Sequence, residues 1–504
     1  MSKYTVVRMQ LTVAVVPLAL VAIGGLVGAF LHATAFGIQT PNTPPINHLV
    51  GIWFAVFSSV AAIHRLLDPH QNARPRWFLF YWATVALSAI VCCIGYAFVP
   101  DSTAAIAWNA VVVVVALTAI PSLRPDMCLG TRRTQSHETL VPTVPQLPRW
   151  AAVLCTISKS IHALLYLLLA AGAIVAASTY SYTLEGTHHT VTMRDGRSFT
   201  MNINCQGPSS SSNATIWFIA DAAHGVTDFY GVQEHLVRAG RRVCTQDNPG
   251  FGGSAAALGD QQDYTEFYNS MFQADGTGGP IVLVGWGGGG TSVLKYAVDQ
   301  PAVHVAAVVF LEVHADGIEF LDYQNATGST DAQTRQHRDD DYAMRLRLAR
   351  LVLGVAIPLP LMPLFAPVSG VASTYEPPIR AAEFAVQVWK SRFWMAQYAG
   401  LLGLQRANES TGVLSTYKLG PTTPLAHVTC RKTDAQSCLH TTNCTESLRK
   451  DRFYASHLAA MTTRIQANAM FVFNDDDDCD LRLPVTKPAF TATAIASFLQ
   501  AIGV

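Results

Sequence analysis

The stretch VGWGGGG, residues 284–290, decides the fold expected for the C-terminal part of this chain. It follows an apolar run at 281–283 and precedes a helical pattern at 291–299. A strand, a sharp glycine-rich turn and a helix are the setting of a nucleophile elbow, G-x-S-x-G, whose central side chain performs the chemistry. The five positions of that frame are Gly285, Trp286, Gly287, Gly288 and Gly289. The motif therefore predicts the turn, with glycine in place of a nucleophile at its centre.

The sequence on both sides of the elbow alternates between strand and helix patterns. A hairpin is predicted around Asp195-Gly196, and helices are predicted at 232–240 and 291–299. Buried strands are predicted at 215–220, 241–247, 280–285 and 305–313. Strands that alternate with helices form a parallel sheet, and sites in such sheets lie at the carboxyl ends of the strands.

These stretches resemble the α/β-hydrolase family. DNPGFGGS at 247–254 is similar to the family's D-x-x-G-x-G-x-S loop, and VVFLEV at 308–313 follows the elbow. LEGTHHTVTMRDGRSFTMNINCQG and TDFYGVQEHL look like a membrane-anchored branch of hydrolase-like proteins from eukaryotic microbes. The resemblance covers about 185–315; it implies a helical cap at 316–420 and the last strands and helix at 421–504.

The resemblance implies a catalytic mechanism whose parts this sequence lacks. It requires a nucleophile at the elbow, a histidine after the last strand and an acid that orients the histidine. Gly287 has no side chain, and no histidine follows His457. The loop where the histidine is expected carries Asp475, Asp476, Asp477 and Asp478. The orienting acid stays open among Asp434, Glu312 and Asp316. We therefore predict a pseudoenzyme.

Two further loops correspond to parts of the family's site that we interpret as vestigial. Their positions are Asp221, His224 and Gly225 in the loop after the first core strand, and Asp247, Gly250 and Gly252 in the second loop. An acid such as Asp221 would repel a developing oxyanion, and His224 is either a displaced base or a polar loop residue. Thr291 and Ser292 lie too far into the helix after the elbow to replace the nucleophile.

Other interpretations of the two unusual runs are less specific. The glycine run could be a flexible turn or a phosphate cradle, but it lacks the G-x-x-x-x-G-K-[ST] pattern. The four aspartates lack the alternating spacing of a calcium loop, which favours a solvated acidic loop. We expect neither a metal site nor a cofactor, and no nucleic-acid partner.

The N-terminal part is predicted to be a membrane bundle. Half of the 504 residues are hydrophobic and the mean hydropathy is +0.25. Five apolar runs long enough to span a bilayer lie at about 11–31, 49–66, 77–99, 104–122 and 160–178. Residues 1–178 hold ten lysines and arginines against four acids, and nine of these cations fall at alternate connections. This predicts an N-terminus inside and residues 179–504 outside. No cleavage site follows the first run, so it is not expected to be a signal peptide.

The compartment of the outer part stays open between two membranes. Six of the ten cysteines lie there, at positions 205, 244, 430, 438, 444 and 479, with their pairing undecided. Sequons at Asn213, Asn325, Asn408 and Asn443 fit a secretory membrane, but the charge rule fits a mitochondrial inner membrane with the domain in the intermembrane space equally well. The latter is favoured. Lys159 and His162 are expected at the inner edge of the fifth span, with Lys159 reaching towards the interface.

Three functions follow from a degenerate hydrolase fold attached to a membrane. The first is an accessory or scaffolding subunit of a membrane complex, for example a mitochondrial respiratory assembly, with other subunits and membrane lipids as partners. The second is binding of a lipid or another hydrophobic ligand in the vestigial pocket. The third is a lipid esterase with a rearranged site.

Overall fold

The computed structural model of the chain describes residues 75–97, 106, 109–110, 112–114, 149–181, 184–194, 196, 198–208, 214–220, 224–254, 264–277, 279–300, 305–313, 328–351, 378–389, 393, 396, 417–430, 456–474 and 482–504. The chain divides into two compact units. The first comprises Met1–Tyr182, Leu351–Leu364 and Trp389–Ser391, and the second comprises Thr183–Arg350, Phe365–Val388 and Arg392–Val504.

Two long apolar helices represent the predicted bundle among the described residues. Helix α1 runs over Pro75–Ala97 and α2 over Arg149–Ser181. The segment Thr156–Ser178 of α2 is the one described stretch that is long and apolar enough to cross a membrane. The spans expected at 11–31 and 49–66, and most of that at 104–122, lie outside the described residues. The five-span bundle therefore stays a prediction.

The helix pair α1–α2 is held together by close backbone approach and by buried polar groups. A Cβ on Gly95 would lie 2.7 Å from the carbonyl oxygen of Ala173, so only glycine permits this approach. The Tyr81 hydroxyl lies 2.7 Å from Nδ1 of His162. Small residues and hydrogen bonds are what associate helices where the surroundings are as apolar as the helices themselves.

The prediction that Lys159 reaches towards the membrane interface is wrong. Its side chain is 2% exposed, and Nζ lies 5.7 Å from the centre of the Tyr81 ring. Lys159 is the fourth residue of the apolar segment Thr156–Ser178, near its edge as expected, but its side chain turns towards Tyr81 of α1 and not towards solvent. An aromatic face attracts a buried ammonium group through its negative quadrupole.

The second unit is built on one mixed sheet. Its eight strands are β1 (Thr187–Thr192), β2 (Ser198–Gln206), β3 (Thr215–Ile219), β4 (Val243–Gln246), β5 (Ile281–Trp286), β6 (Val305–Leu311), β7 (Leu425–Cys430) and β8 (Met470–Asn474). They lie in the order β1-β2-β4-β3-β5-β6-β7-β8. The β1–β2 and β2–β4 pairs are antiparallel, and the pairs from β4 to β8 are parallel. The predicted hairpin and parallel sheet are thus confirmed.

Alternate residues of the central strands form two hydrophobic cores, one on each face of the sheet. On β3, Trp217 and Ile219 contribute to one core, while Ile216 and Phe218 contribute to the other. Successive side chains of a strand point to opposite faces, so both faces must be apolar when helices cover both. All six residues of β5 are buried for this reason.

The described residues of the second unit contain eight helical segments. They are α3 (Val226–Arg238), α4 (Tyr264–Ala274), α5 (Gly289–Asp299), α6 (Asp331–Leu351), α7 (Pro378–Trp389), α8 (456–465), α9 (Leu483–Thr486) and α10 (Pro488–Ala501). The predicted helix at 232–240 begins six residues earlier, at Val226. An apolar pattern alone missed this first turn, whose buried residues include the polar Thr227 and Asp228.

Two cysteines whose pairing the sequence left open form a disulfide across neighbouring strands. Cys205 on β2 and Cys244 on β4 are directly opposite in the antiparallel register and are covalently bonded. Cys430 at the end of β7 is also disulfide-bonded. The sequons at Asn213, Asn325, Asn408 and Asn443 lie outside the described residues.

Candidate functional site

The elbow adopts the sharp turn that its sequence predicts. Gly287 has φ +55°, in the left-handed region, directly after β5 and two residues before α5 begins. Its N–H donates to the carbonyl oxygen of Leu311 at 3.0 Å, and its own carbonyl accepts from the N–H of Gly290 at 3.0 Å. Because glycine populates positive φ without a steric penalty, the apex is relaxed here and carries no side chain.

Three neighbouring glycines are required by packing. A Cβ on Gly289 would lie 2.2 Å from the carbonyl oxygen of Ile219, and one on Gly290 would lie 2.2 Å from a methyl group of Val313. A Cβ on Gly285 would lie 2.6 Å from Cα of Gly290. Gly288 differs, because it is exposed and right-handed at φ −62°. The glycine run therefore allows α5 to pack closely against the sheet, with or without catalysis at the apex.

His224 lies beside the elbow. Its ring is 4.3 Å from that of Trp286, the residue before the apex, and Trp286 also packs edge-on against Phe229 at 5.7 Å. The sequence left His224 open between a displaced base and a polar loop residue, and the structure brings it to the carboxyl end of β5. It is the one imidazole that the described contacts bring against an elbow residue.

Asp228 holds both His224 and the start of α3. One carboxylate oxygen lies 3.2 Å from Nδ1 of His224, and the other accepts the N–H of Gly225 at 2.8 Å. Asp228 is 3% exposed. Sequence reasoning missed this residue, although an acid three positions after Gly225 is the spacing of a helix capping box.

Asp247 has a structural role in the second loop. Its carboxylate accepts from Nδ2 of Asn202 at 2.7 Å, from the N–H of Gly253 at 2.8 Å and from the N–H of Val226 at 2.9 Å. Burial raises the pKa of Asp247, and these hydrogen bonds partly offset that rise. The carboxylate joins the middle of β2, at Asn202, and the loop after β4 to the start of α3. None of these contacts involves the elbow apex.

The glycines around Asp247 make room for that carboxylate. A Cβ on Gly225 would lie 2.2 Å from one Asp247 oxygen, and one on Gly252 would lie 2.1 Å from the other. Gly252 and Gly250 also have positive φ, +50° and +85°. These vestigial-loop positions are therefore explained by fold stability.

Glu312, one of three candidates for the orienting acid, bonds to the neighbouring strand. It is 4% exposed, and one carboxylate oxygen accepts from the Thr429 hydroxyl at 2.9 Å. Its backbone N–H donates to Val428 at 3.1 Å. It is also the one non-glycine residue of the described set with positive φ, at +48°. Strain of this kind is tolerated where the surroundings hold a residue firmly, as β7 does here.

The remaining predicted site residues divide into those the structure describes and those it does not. Thr291 and Ser292 lie in the first turns of α5 and are half-buried, as expected for residues of that helix. The candidates outside the described residues are Asp221, Asp316, Asp434, Asp475, Asp476, Asp477 and Asp478. The acidic loop and two of the acid candidates thus stay predictions.

One group of described residues has the composition of a metal site. Ligand atoms of Cys205, Cys244 and Asp275 lie within 4.8 Å of one another. Both sulfurs are in a disulfide, however, and a metal needs thiolates. Asp275 instead pairs with Arg242 at 3.3 Å.

A buried charge network fixes the described part of the predicted cap to α3. Nη1 of Arg380 on α7 donates to both carboxylate oxygens of Glu383, at 2.9 and 2.7 Å, and Nη2 lies 2.5 Å from Glu185. The guanidinium carbon lies 3.6 Å from the centre of the Tyr230 ring. The Gln387 amide donates to the Thr227 hydroxyl at 2.8 Å. Burial opposes the charge of Arg380, but the carboxylates raise its pKa above the ordinary value. No motif in the sequence signals this network, because Arg380 and Glu185 are 195 positions apart.

The model of a family described as the alpha/beta hydrolase family matches residues 210–477, which include the elbow and the loop around Asp247. A search of curated proteins finds no match.

Solved hydrolase structures are similar to part of this chain at low identity. A thermophilic esterase from Thermogutta terrifontis is 16% identical, with a TM-score of 0.43, over 64% of this chain and 100% of its own. An esterase from Exiguobacterium antarcticum is 14% identical, with a TM-score of 0.40, over 63% of this chain and 100% of its own. A probable hydrolytic enzyme from Pseudomonas aeruginosa is 16% identical, with a TM-score of 0.43, over 64% of this chain and 96% of its own.

Proposed function

The chain belongs to the alpha/beta hydrolase family, and from that premise we propose that it is a catalytically inactive member that is anchored in a membrane and serves as an accessory or scaffolding subunit of a larger membrane complex. One observation carries the proposal: the apex of the elbow is Gly287, at φ +55°. The function of the elbow in this fold is to hold a nucleophilic side chain towards the pocket, and Gly287 has only a hydrogen atom in that place.

The surroundings of the apex support loss of chemistry with retention of the fold. Packing accounts for Gly285, Gly289 and Gly290, and Asp247 is engaged by three hydrogen bonds. All of these features stabilise the domain whether or not a nucleophile is present. A chain that keeps them while it lacks both the elbow nucleophile and a histidine after its last strand is more useful as a rigid body than as a catalyst.

The exposed apolar surface of the first unit supports membrane anchoring and contact with other spans. Residues spaced seven apart on α1 and α2 are between 48% and 67% exposed: Phe80, Leu87 and Ile94, and Trp150, Ile157 and Leu164. In water such stripes would be costly, whereas in a bilayer they face lipid or the helices of partner subunits.

The Cys205–Cys244 disulfide supports an oxidising compartment for the second unit. Disulfides persist in such compartments and are rare where glutathione keeps thiols reduced. Both the mitochondrial intermembrane space, which we favour, and the lumen of the secretory pathway meet this condition. A respiratory complex of the mitochondrial inner membrane is the assembly we propose.

The test is recovery of the intact, tagged chain in a gentle detergent, followed by mass spectrometry and an ester-hydrolysis assay. We expect stoichiometric recovery with the subunits of one membrane complex, and hydrolysis of p-nitrophenyl butyrate no faster than buffer. Recovery of the chain alone contradicts the accessory role, and a bound lipid in that sample favours ligand binding. Turnover above buffer contradicts inactivity.

A second candidate, a hydrolase with a rearranged site, is favoured by the His224–Asp228 pair beside Trp286. An imidazole that is oriented by a carboxylate is the usual form of a general base, and here it would act on water. This candidate predicts turnover that disappears in His224→Ala and persists in the matched control His235→Ala, on the last turn of α3.

A further inference from the structure

Helix α6 changes character along its length. Its first half carries the acids Asp331, Asp339, Asp340 and Asp341. From residue 342 to residue 375 there is no acid, and the charged residues are Arg345, Arg347 and Arg350. The charged residues in the last ten positions of the helix are therefore all cations. Residues 351–375, at the end of the helix and beyond it, are uncharged.

The cationic half of α6 also exposes apolar side chains. Met344 and Leu348 are 62% and 60% exposed, and the side chains of Arg345 and Arg347 are exposed as well. At 3.6 residues per turn, Met344 and Leu348 lie about 40° apart around the helix. Arg347 and Arg345 flank this pair, each about 60° from the nearer apolar residue. Apolar residues bordered by arginines are the pattern of a helix that lies in a membrane interface.

The charge on this half of α6 favours an anionic partner. No acid lies three or four residues from Arg347, whereas Arg345 pairs with Asp341 at 2.8 Å, so at least one guanidinium has no helical counter-ion. The boundary between the two units falls at the end of α6, between Arg350 and Leu351.

We propose that the C-terminal half of α6 is a docking surface for an anionic phospholipid bilayer. Met344 and Leu348 enter the boundary of the acyl chains, and Arg345 and Arg347 bind lipid phosphates. The cap is then held at the membrane surface by a contact that is separate from the spanning helices. This inference rests on the membrane anchoring proposed above.

The test is photo-crosslinking of the full chain in vesicles of phosphatidylcholine, with and without phosphatidylglycerol. The photoreactive residue p-benzoylphenylalanine replaces Leu348, the matched control Gln336 on the acidic half of α6, or Ile161 on α2, which is 52% exposed. We expect lipid adducts at 348 and at 161 but not at 336. The yield at 348 should rise with phosphatidylglycerol and fall about fivefold for each of Arg345→Gln and Arg347→Gln.

The three positions separate the possible failures. Adducts at 161 without adducts at 348, or adducts at 348 with a co-purified protein in place of lipid, overturn the docking surface and leave membrane anchoring intact. Absence of lipid at both positions overturns the membrane anchoring itself. A crosslinking yield at 348 that changes neither with phosphatidylglycerol nor with the arginine substitutions contradicts the role assigned to the guanidinium groups.

Discussion

Substitution of Gly287 by serine tests both the geometry and the chemistry assigned to the elbow. The apex has φ +55°, so any side chain there must adopt the left-handed conformation. For an L-residue this costs about 1–2 kcal/mol, because Cβ approaches the following carbonyl oxygen. Gly287→Ser should therefore lower the free energy of unfolding by about that amount.

The matched control is the next residue. Gly288→Ser places the same side chain at φ −62° on an exposed position, where no left-handed strain arises. We expect its stability to stay within about 0.5 kcal/mol of the parent chain. In thermal unfolding followed by tryptophan fluorescence, Gly287→Ser should melt about 2–8 °C below Gly288→Ser, since 1 kcal/mol shifts the midpoint by about 2–4 °C.

The same variant measures how much of the catalytic machinery remains. The sequence has no histidine after His457, so a serine at 287 has no base at the family's position. Hydrolysis of p-nitrophenyl butyrate by Gly287→Ser should stay at the buffer rate. Equal melting points for the two serine variants would refute the strain argument. A large gain in turnover that His224→Ala abolishes would refute the conclusion that no working base remains.

Three substitutions test the interactions that maintain the domain, each by chemical or thermal unfolding. Asp247→Asn should cost about 2–4 kcal/mol, because an amide group would face N–H donors, whereas exposed Asp299→Asn should be neutral. Arg380→Gln should cost about 3–5 kcal/mol by leaving buried Glu383 unpaired, whereas Arg238→Gln in an exposed pair should cost less than about 1 kcal/mol. Gly289→Ala should lower the free energy of unfolding by about 3 kcal/mol, because the carbonyl oxygen of Ile219 leaves no room for a Cβ. A change near zero in any of the three variants would contradict the contacts assigned to that residue.

The strands were predictable because both faces of the sheet are covered. A run such as TIWFI at β3 is apolar at every position, and this is the pattern of a strand buried on two sides. The first turn of α3 was not predictable from hydrophobic periodicity, because its buried positions include Thr227 and Asp228. A tertiary contact with Gln387 holds Thr227 and has no local signature, whereas Asp228 bonds locally to Gly225 and His224.

The glycine motifs of the candidate site could be predicted from the sequence, but the residues that surround them in space could not. The sequence identified Gly287 and the loop around Asp247, because both are defined by short-range glycine spacing. The approach of His224 to Trp286 joins positions 62 residues apart, and the direction of the Glu312 carboxylate depends on β7, more than 110 residues later. The burial of Lys159 likewise depends on Tyr81 of another helix.

The elbow glycines serve two separable purposes, and this limits what the motif can say about activity. Gly289 and Gly290 let α5 start against Ile219 at the end of β3 and against Val313 just after β6, with or without catalysis. Gly287 is the one position in the frame at which a side chain would serve the chemistry, and its backbone still adopts the conformation of an elbow apex. A chain can therefore match the family over residues 210–477 and keep the elbow turn without a side chain at the apex. Whether it catalyses depends on the apex and its base, so a test of activity must be made at residues 287 and 224.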